Sequence, residues 1–229
     1  MKHILFIITS TDVIGTTNHK TGYEFSEIAD PYFEFCNAGY TVDFASIKGG
    51  RPPEDGYDEN YKSSQRFKNG NGYKRLNFSH RLENVNLDSY DAIFFPGGLG
   101  PMVDMVDNVF VKNAIAKVYE SGKIVSAVCH GSVAFLNVKL SNGKYFLAGK
   151  KVTCFTEEEE TIKNHHVGEI IPFLLDKALI AQGVTFTRKA PFFSNVIVDG
   201  NIITGQNPAS AKDVALAIIE ILFTRTTVL

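Results

Sequence analysis

Short runs rich in Ile, Val and Phe recur along this chain, separated by stretches with helical spacing, and this alternation constrains the fold more than any other feature. The runs fall at residues 3–10, 41–47, 92–95, 124–128 and 152–155. Between them, residues 24–37, 108–120 and 170–182 place apolar side chains three and four apart, as a helix packed on a sheet requires. Ala38-Gly39 stops the first helix and Pro31 marks a kink within it. Asp199-Gly200 joins 195–199 to 201–204 as a hairpin. Asn207 caps a closing helix over 209–223, with Pro208 in its first turn. Strands apolar on both faces need helices on both faces, so the class is α/β with a mostly parallel sheet.

With 229 residues, 44% of them apolar, the chain can bury a full core as one domain over 1–229. Residues 48–88 break the alternation. They are rich in Gly, Asn, Lys, Asp and Tyr, start near Pro52-Pro53, and read as an insertion, either a surface excursion or a cap over a site. Twenty-three Lys and Arg against 25 Asp and Glu give a net charge of -2, which offers no electrostatic case for nucleic acid or an anionic membrane. Partners are expected among small molecules or protein chains. Three cysteines cannot all pair and show no C-x-x-C spacing, which points to a reducing compartment, most simply the cytoplasm. The apolar start ends at Thr9 without a small-residue cleavage site, so it reads as a first strand; no run approaches the roughly 20 residues that span a bilayer.

Ala127-Val128-Cys129-His130-Gly131 places one cysteine between an apolar strand and a helix beginning in 132–136, with small residues two before and two after it. That spacing suits a strained elbow that lifts a nucleophile clear of the sheet. The helix N-terminus there favours thiolate, and His130 offers a proton acceptor or a positive charge. The competing reading is an inert core thiol. Phe95-Pro96-Gly97-Gly98-Leu99-Gly100 follows another strand, and ligands of open parallel sheets bind where such turns meet. The Gly98 and His130 amides are therefore placed to hold an oxyanion, whereas the glycine spacing does not fit a dinucleotide loop. Thr156 with Glu159 forms a capping box, and one carboxylate of Glu157 to Glu160 pointing inward would complete a Cys-His-Glu relay. Glu24 and Glu27 open the first helix near the same edge, and a protonated Glu27 could donate to the thiolate. His165-His166, adjacent on a helix, point about 100° apart, so no metal is assigned. Cys36 and Cys154 read as core thiols.

These segments, with Thr21-Gly22, Gly149 to Thr156 and Thr204-Gly205-Gln206-Asn207-Pro208-Ala209-Ser210-Ala211, resemble the ThiJ/PfpI superfamily, and within it the heat-shock chaperone and glyoxalase III branch. The resemblance runs from the first strand to the last helix. It implies a flavodoxin-like three-layer sandwich of the class I glutamine amidotransferase type. It also implies Cys129 as nucleophile, His130 as base, Glu160 as the acid of the triad and Glu27 as the carboxylic acid beside the thiol. Gly98 and His130 amides form the oxyanion site. The implied activity is glutathione-independent conversion of methylglyoxal to lactate without a cofactor, alongside repair of glycated groups, in a homodimer. Alternatives within the resemblance are a stress-response holdase binding unfolded clients, and a cysteine hydrolase, peptidase or oxidation sensor. Two departures bear on substrate: Leu99 stands in the pocket loop where many branch members carry histidine, and the insertion lacks a crisp match.

Overall fold

The computed structural model describes residues 1–15 and 18–227. Its strands are β1 His3–Ile8, β2 Tyr23–Glu24, β3 Thr41–Ser46, β4 Glu54–Asp55, β5 His80–Arg81, β6 Ala92–Phe95, β7 Ile124–Val128, β8 Lys151–Val152, β9 Thr185–Phe186, β10 Val196–Asp199 and β11 Ile202–Gly205. Its helices are α1 Ser26–Asn37, α2 Lys62–Lys68, α3 Asn71–Leu76, α4 Pro101–Asp104, α5 Val109–Glu120, α6 Glu157–Ile162, α7 Leu175–Ala181 and α8 Ala211–Thr227. Seven strands form one sheet in the order β10-β11-β7-β6-β1-β3-β5, parallel throughout except for the β10–β11 hairpin. The expected mostly parallel α/β sandwich is what the chain adopts.

The period-2 geometry of a strand explains why the central strands are apolar on both faces. From β1, Leu5 and Ile7 join the cluster that contains Val111, Ile115 and Val118 of α5, while Ile4, Phe6 and Ile8 join the cluster under α1 and α8. Strand β6 divides the same way, Ile93 and Phe95 to one side and Ala92 and Phe94 to the other. Each such side chain, fully withdrawn from water, contributes roughly 1.5–3 kcal/mol.

Several local expectations are corrected. The run 152–155 gives only β8, which pairs with β9 outside the main sheet, because Thr153 turns its amide to the Thr204 hydroxyl. Of 170–182 only α7 is helical; Ile170 and Ile171 instead pack around Leu99. Helix α1 begins at Ser26, since residues 23–24 pair with β4, and it runs through Pro31 without interruption. A 3-10 turn, Pro208–Ser210, precedes α8. Segment 48–88 is not featureless: Phe67 of α2 enters the aromatic cluster with its ring centroid 5.0 Å from Tyr32 and 5.8 Å from Phe25, and β5 lies at the sheet edge. Among the described residues, no helix is long and apolar enough to cross a membrane.

Candidate active site

Strand β7 ends in extended backbone at Val128, and Cys129 then turns to φ 58°, a left-handed conformation that a side-chain-bearing residue adopts only at a cost of about 1–3 kcal/mol. The small residues around it have steric causes. A Cβ on Gly131 would stand 2.3 Å from the Phe95 carbonyl oxygen, and one on Gly97 would meet the Cys129 Cβ and a Glu27 oxygen, each at 2.8 Å. The cysteine itself opens a seven-residue 3-10 helix, Cys129–Phe135, so the helix starts earlier than the expected beginning within 132–136. The support for thiolate at this helix terminus comes from the His130 backbone N–H, and burial outweighs it.

His130 Nδ1 lies 3.3 Å from Cys129 Sγ, and His130 Nε2 lies 2.7 Å from Glu160 Oε1. All three residues are buried, and the imidazole packs on the Phe155 ring, centroid to centroid 4.6 Å. Burial alone would raise the Glu160 carboxyl, but the charges and hydrogen bonds of His130 and His165 outweigh it and hold the group at about 2. Helix α6 presents Glu160 through the expected capping box, Thr156 accepting from the Glu159 amide while Glu159 accepts from Thr156. Two of the four acidic residues point inward, not one. Glu159 is fully buried, with Oε1 accepting from Asn207 Nδ2 at 2.7 Å and from the Phe192 amide at 2.8 Å.

Glu27, fully buried on α1, accepts the Gly97 N–H through Oε2 at 2.5 Å, leaves Oε1 unpartnered, and lies against the thiol. Burial, reinforced by the charge of Glu24, pushes its carboxyl well above the usual range, against the hydrogen bonds of Gly97 and Cys129. Burial also pushes the Cys129 thiol well up, and an ionised Glu27 would push it further. This reverses the expectation of a thiol lowered by its surroundings.

Cys129 and His130 open into a cavity of about 340 Å³ lined also by Gly98, Leu99, Phe155 and His165, with Glu24 and Asp55 at its edge. Asp55 and Gly56 come from the 48–88 segment, which thus reaches the site. A second hollow, also about 340 Å³ and bounded by Ile14, Val103 and Ile171, has neither cysteine nor histidine in its wall. Gly98 takes φ +86°, and a Cβ there would stand 2.3 Å from the Gly22 carbonyl oxygen. Leu99 is 6% exposed and joins the apolar group of Ile14 and Ile171.

The histidine pair proves unequal. Both residues lie past the end of α6 rather than on a helix. His165 places Nδ1 2.7 Å from Glu160 Oε2, whereas His166 is exposed. His130, Glu160 and His165 bring one ligand atom each within 4.8 Å of one another, a donor set that could hold a metal ion, and the two histidines each contact the Glu160 carboxylate at 2.7 Å. The only sequence signal for His165 was its neighbouring histidine, and its contact with Glu160 was not anticipated. Cys154 is buried as expected, but Cys36 is exposed on the outer face of α1, correcting its reading as a core thiol.

A cysteine on a strained strand exit, backed by histidine and glutamate at the carboxyl edge of a mostly parallel sheet, defines a flavodoxin-like sandwich of the class I glutamine amidotransferase type. The chain belongs to the DJ-1/PfpI family, whose model matches residues 19–221. It is 29% identical to the glutathione-independent glyoxalase HSP31 of Saccharomyces cerevisiae, over 96% of this chain and 98% of that protein. It is 30% identical to the glutathione-independent glyoxalase hsp3102 of Schizosaccharomyces pombe, over 89% and 90% of the two chains. Among solved structures, glyoxalase III from Candida albicans superposes with a TM-score of 0.85 at 26% identity, covering 96% of each chain. Rapid Encystment Protein 24 KDa from Francisella tularensis gives 0.89 at 35% identity, covering 96% of this chain and 98% of its own.

Proposed function

We propose that this protein is a glutathione-independent glyoxalase that converts 2-oxoaldehydes, methylglyoxal first among them, into 2-hydroxy acids through a covalent adduct on Cys129. The observation that carries the reading is the buried line Cys129 Sγ, His130, Glu160, with contacts of 3.3 and 2.7 Å, facing a cavity sized for a small substrate. Glutathione-independent glyoxalases among the full-length relatives support it.

In this mechanism Glu160 fixes the proton of His130 on Nε2, so the lone pair on Nδ1 takes the Cys129 proton as sulfur attacks the aldehyde carbon. The Gly98 and His130 amides hold the developing oxyanion. Glu27, protonated, donates to sulfur and steadies the thiolate that burial opposes. Leu99 gives the methyl end of the substrate an apolar wall. Proton transfer through an enediol then yields a thioester, which water hydrolyses to lactate. The same reading has the protein act as a homodimer in the cytoplasm, a state that light scattering of the purified chain reads directly.

The test is purified protein with methylglyoxal and no glutathione, following D-lactate beside Cys129→Ser. Lactate that disappears in the variant is expected. Equal lactate from both proteins, or none from the wild type, overturns the proposal.

A further inference from the structure

His165 holds the Glu160 oxygen that His130 leaves over. Its Nδ1 is 2.7 Å from Oε2, while His130 Nε2 is 2.7 Å from Oε1, and both rings border the cavity that contains the thiol. An ionised carboxylate only accepts hydrogen bonds, so Glu160 holds a proton on Nε2 of His130 and on Nδ1 of His165. The two rings are thereby fixed in opposite tautomers. In its neutral form His130 carries its lone pair on Nδ1, toward sulfur; His165 carries its own on Nε2, with ring centroids 6.4 Å apart. An aldehyde isomerisation through a thiol adduct removes one proton from sulfur and then a second from carbon, and the His130 lone pair faces the sulfur.

We propose that His165 is the carbon-acid base of this site: Nε2 removes the C1 hydrogen of the Cys129 hemithioacetal and returns it at C2. The assignment rests on the glyoxalase reading. As sulfur bonds to C1, the aldehyde oxygen takes the proton that His130 removed from the thiol. The C1–H bond then breaks toward His165, its electron pair forms the C1–C2 double bond of an enediol, and the ketone oxygen takes a proton from water. Reprotonation at C2 by His165, with loss of the C1 hydroxyl proton to water, leaves the thioester of a 2-hydroxy acid. C1 is oxidised by two electrons and C2 reduced by two, so no external oxidant or reductant enters.

His165→Asn separates this role from mere support of Glu160, because the Asn amide donates from about the position of Nδ1 while offering no base. With methylglyoxal, His165→Asn should lose about 100-fold or more in lactate turnover while iodoacetamide alkylation of Cys129 stays within about threefold of wild type. Methylglyoxal should still protect Cys129 from the reagent. Turnover within about tenfold of wild type in His165→Asn, or a parallel loss of turnover and alkylation, overturns the assignment. A second measurement needs no variant: with methylglyoxal deuterated at C1, the wild type should retain part of the label at C2 of lactate, and complete loss to solvent counts against a single carrier. A wild type that makes no lactate removes the glyoxalase reading and this assignment with it, whereas an active wild type with an unaffected variant removes the assignment alone.

Discussion

Asn207 donates its side-chain N–H to Glu159 Oε1 at 2.7 Å, and neither residue is exposed to solvent. That contact ties the start of the last helix to the helix that presents Glu160. The same oxygen accepts the Phe192 amide, and Oε2 accepts from the amide and hydroxyl of Thr156. Glu159→Ala strips the partner from several buried donors at once, so a loss of about 3 kcal/mol in urea unfolding is expected, with reduced turnover because Glu160 is adjacent. A loss under about 1 kcal/mol would show that water replaces the carboxylate freely.

Cys129 sits at φ 58°, where glycine is relaxed and alanine is not. Both Cys129→Gly and Cys129→Ala abolish the thiol, yet Cys129→Gly should be the more stable of the two by about 1 kcal/mol, against the ordinary order of these residues. Denaturant midpoints compare them directly, and the ordinary order would mean that the elbow relaxes when sulfur is removed.

Glu24 borders the cavity, and its carboxyl is pushed up from 4.5 to about 7 by burial and the Asp55 charge, against the Ser26 hydrogen bonds and Lys163. Between those two values the folded chain keeps a proton that the unfolded chain has released. Its contribution to stability is therefore present below about 4.5 and lost as pH rises through about 7. Glu24→Gln should flatten this fall and remove an ionisation near pH 7 from the kcat/KM profile. An unchanged profile would place the catalytic ionisation elsewhere.

Glu160 has the opposite sign. Held at about 2 against an ordinary 4.5, it contributes stability above about 4.5 that is lost as pH falls through about 2. Acid titration of Glu160→Gln should show a flatter limb between those values, and lactate turnover should drop by about 10³-fold or more with the His130 tautomer no longer fixed. Parallel acid limbs in the two proteins would show that the carboxylate is not held by its histidines in the folded state.

The central strands were legible because Ile, Leu, Val, Phe and Ala fill most of β1, β6 and β7, and Val42 and Phe44 alternate along β3. Asp199-Gly200 announced its hairpin, and the residues flanking Cys129 announced an elbow. Ambiguity arose where apolar residues serve local patches: Ile170 and Ile171 resemble the start of a helix yet cover Leu99. Cys36 carries no mark of which face of α1 it occupies. Which of Glu157 to Glu160 turns inward depends on the phase of a six-residue helix, set by its cap and by Asn207, far away in sequence. The second contact on Glu160 was beyond reach for a different reason: His165 lies in irregular backbone, where spacing fixes no direction.

The elbow strain, the Gly97–Glu27 bond, the Glu160 relay and the Asn207 anchor come from stretches scattered between residues 27 and 207. A growing chain that has reached only Glu160 already holds the thiol, the imidazole and the carboxylate, but not the amide that secures the helix bearing that carboxylate. Orientation of the base at Cys129 therefore depends on residues 27 to 207 being folded together, and a chain interrupted before Asn207 carries the thiol without the contact that anchors α6.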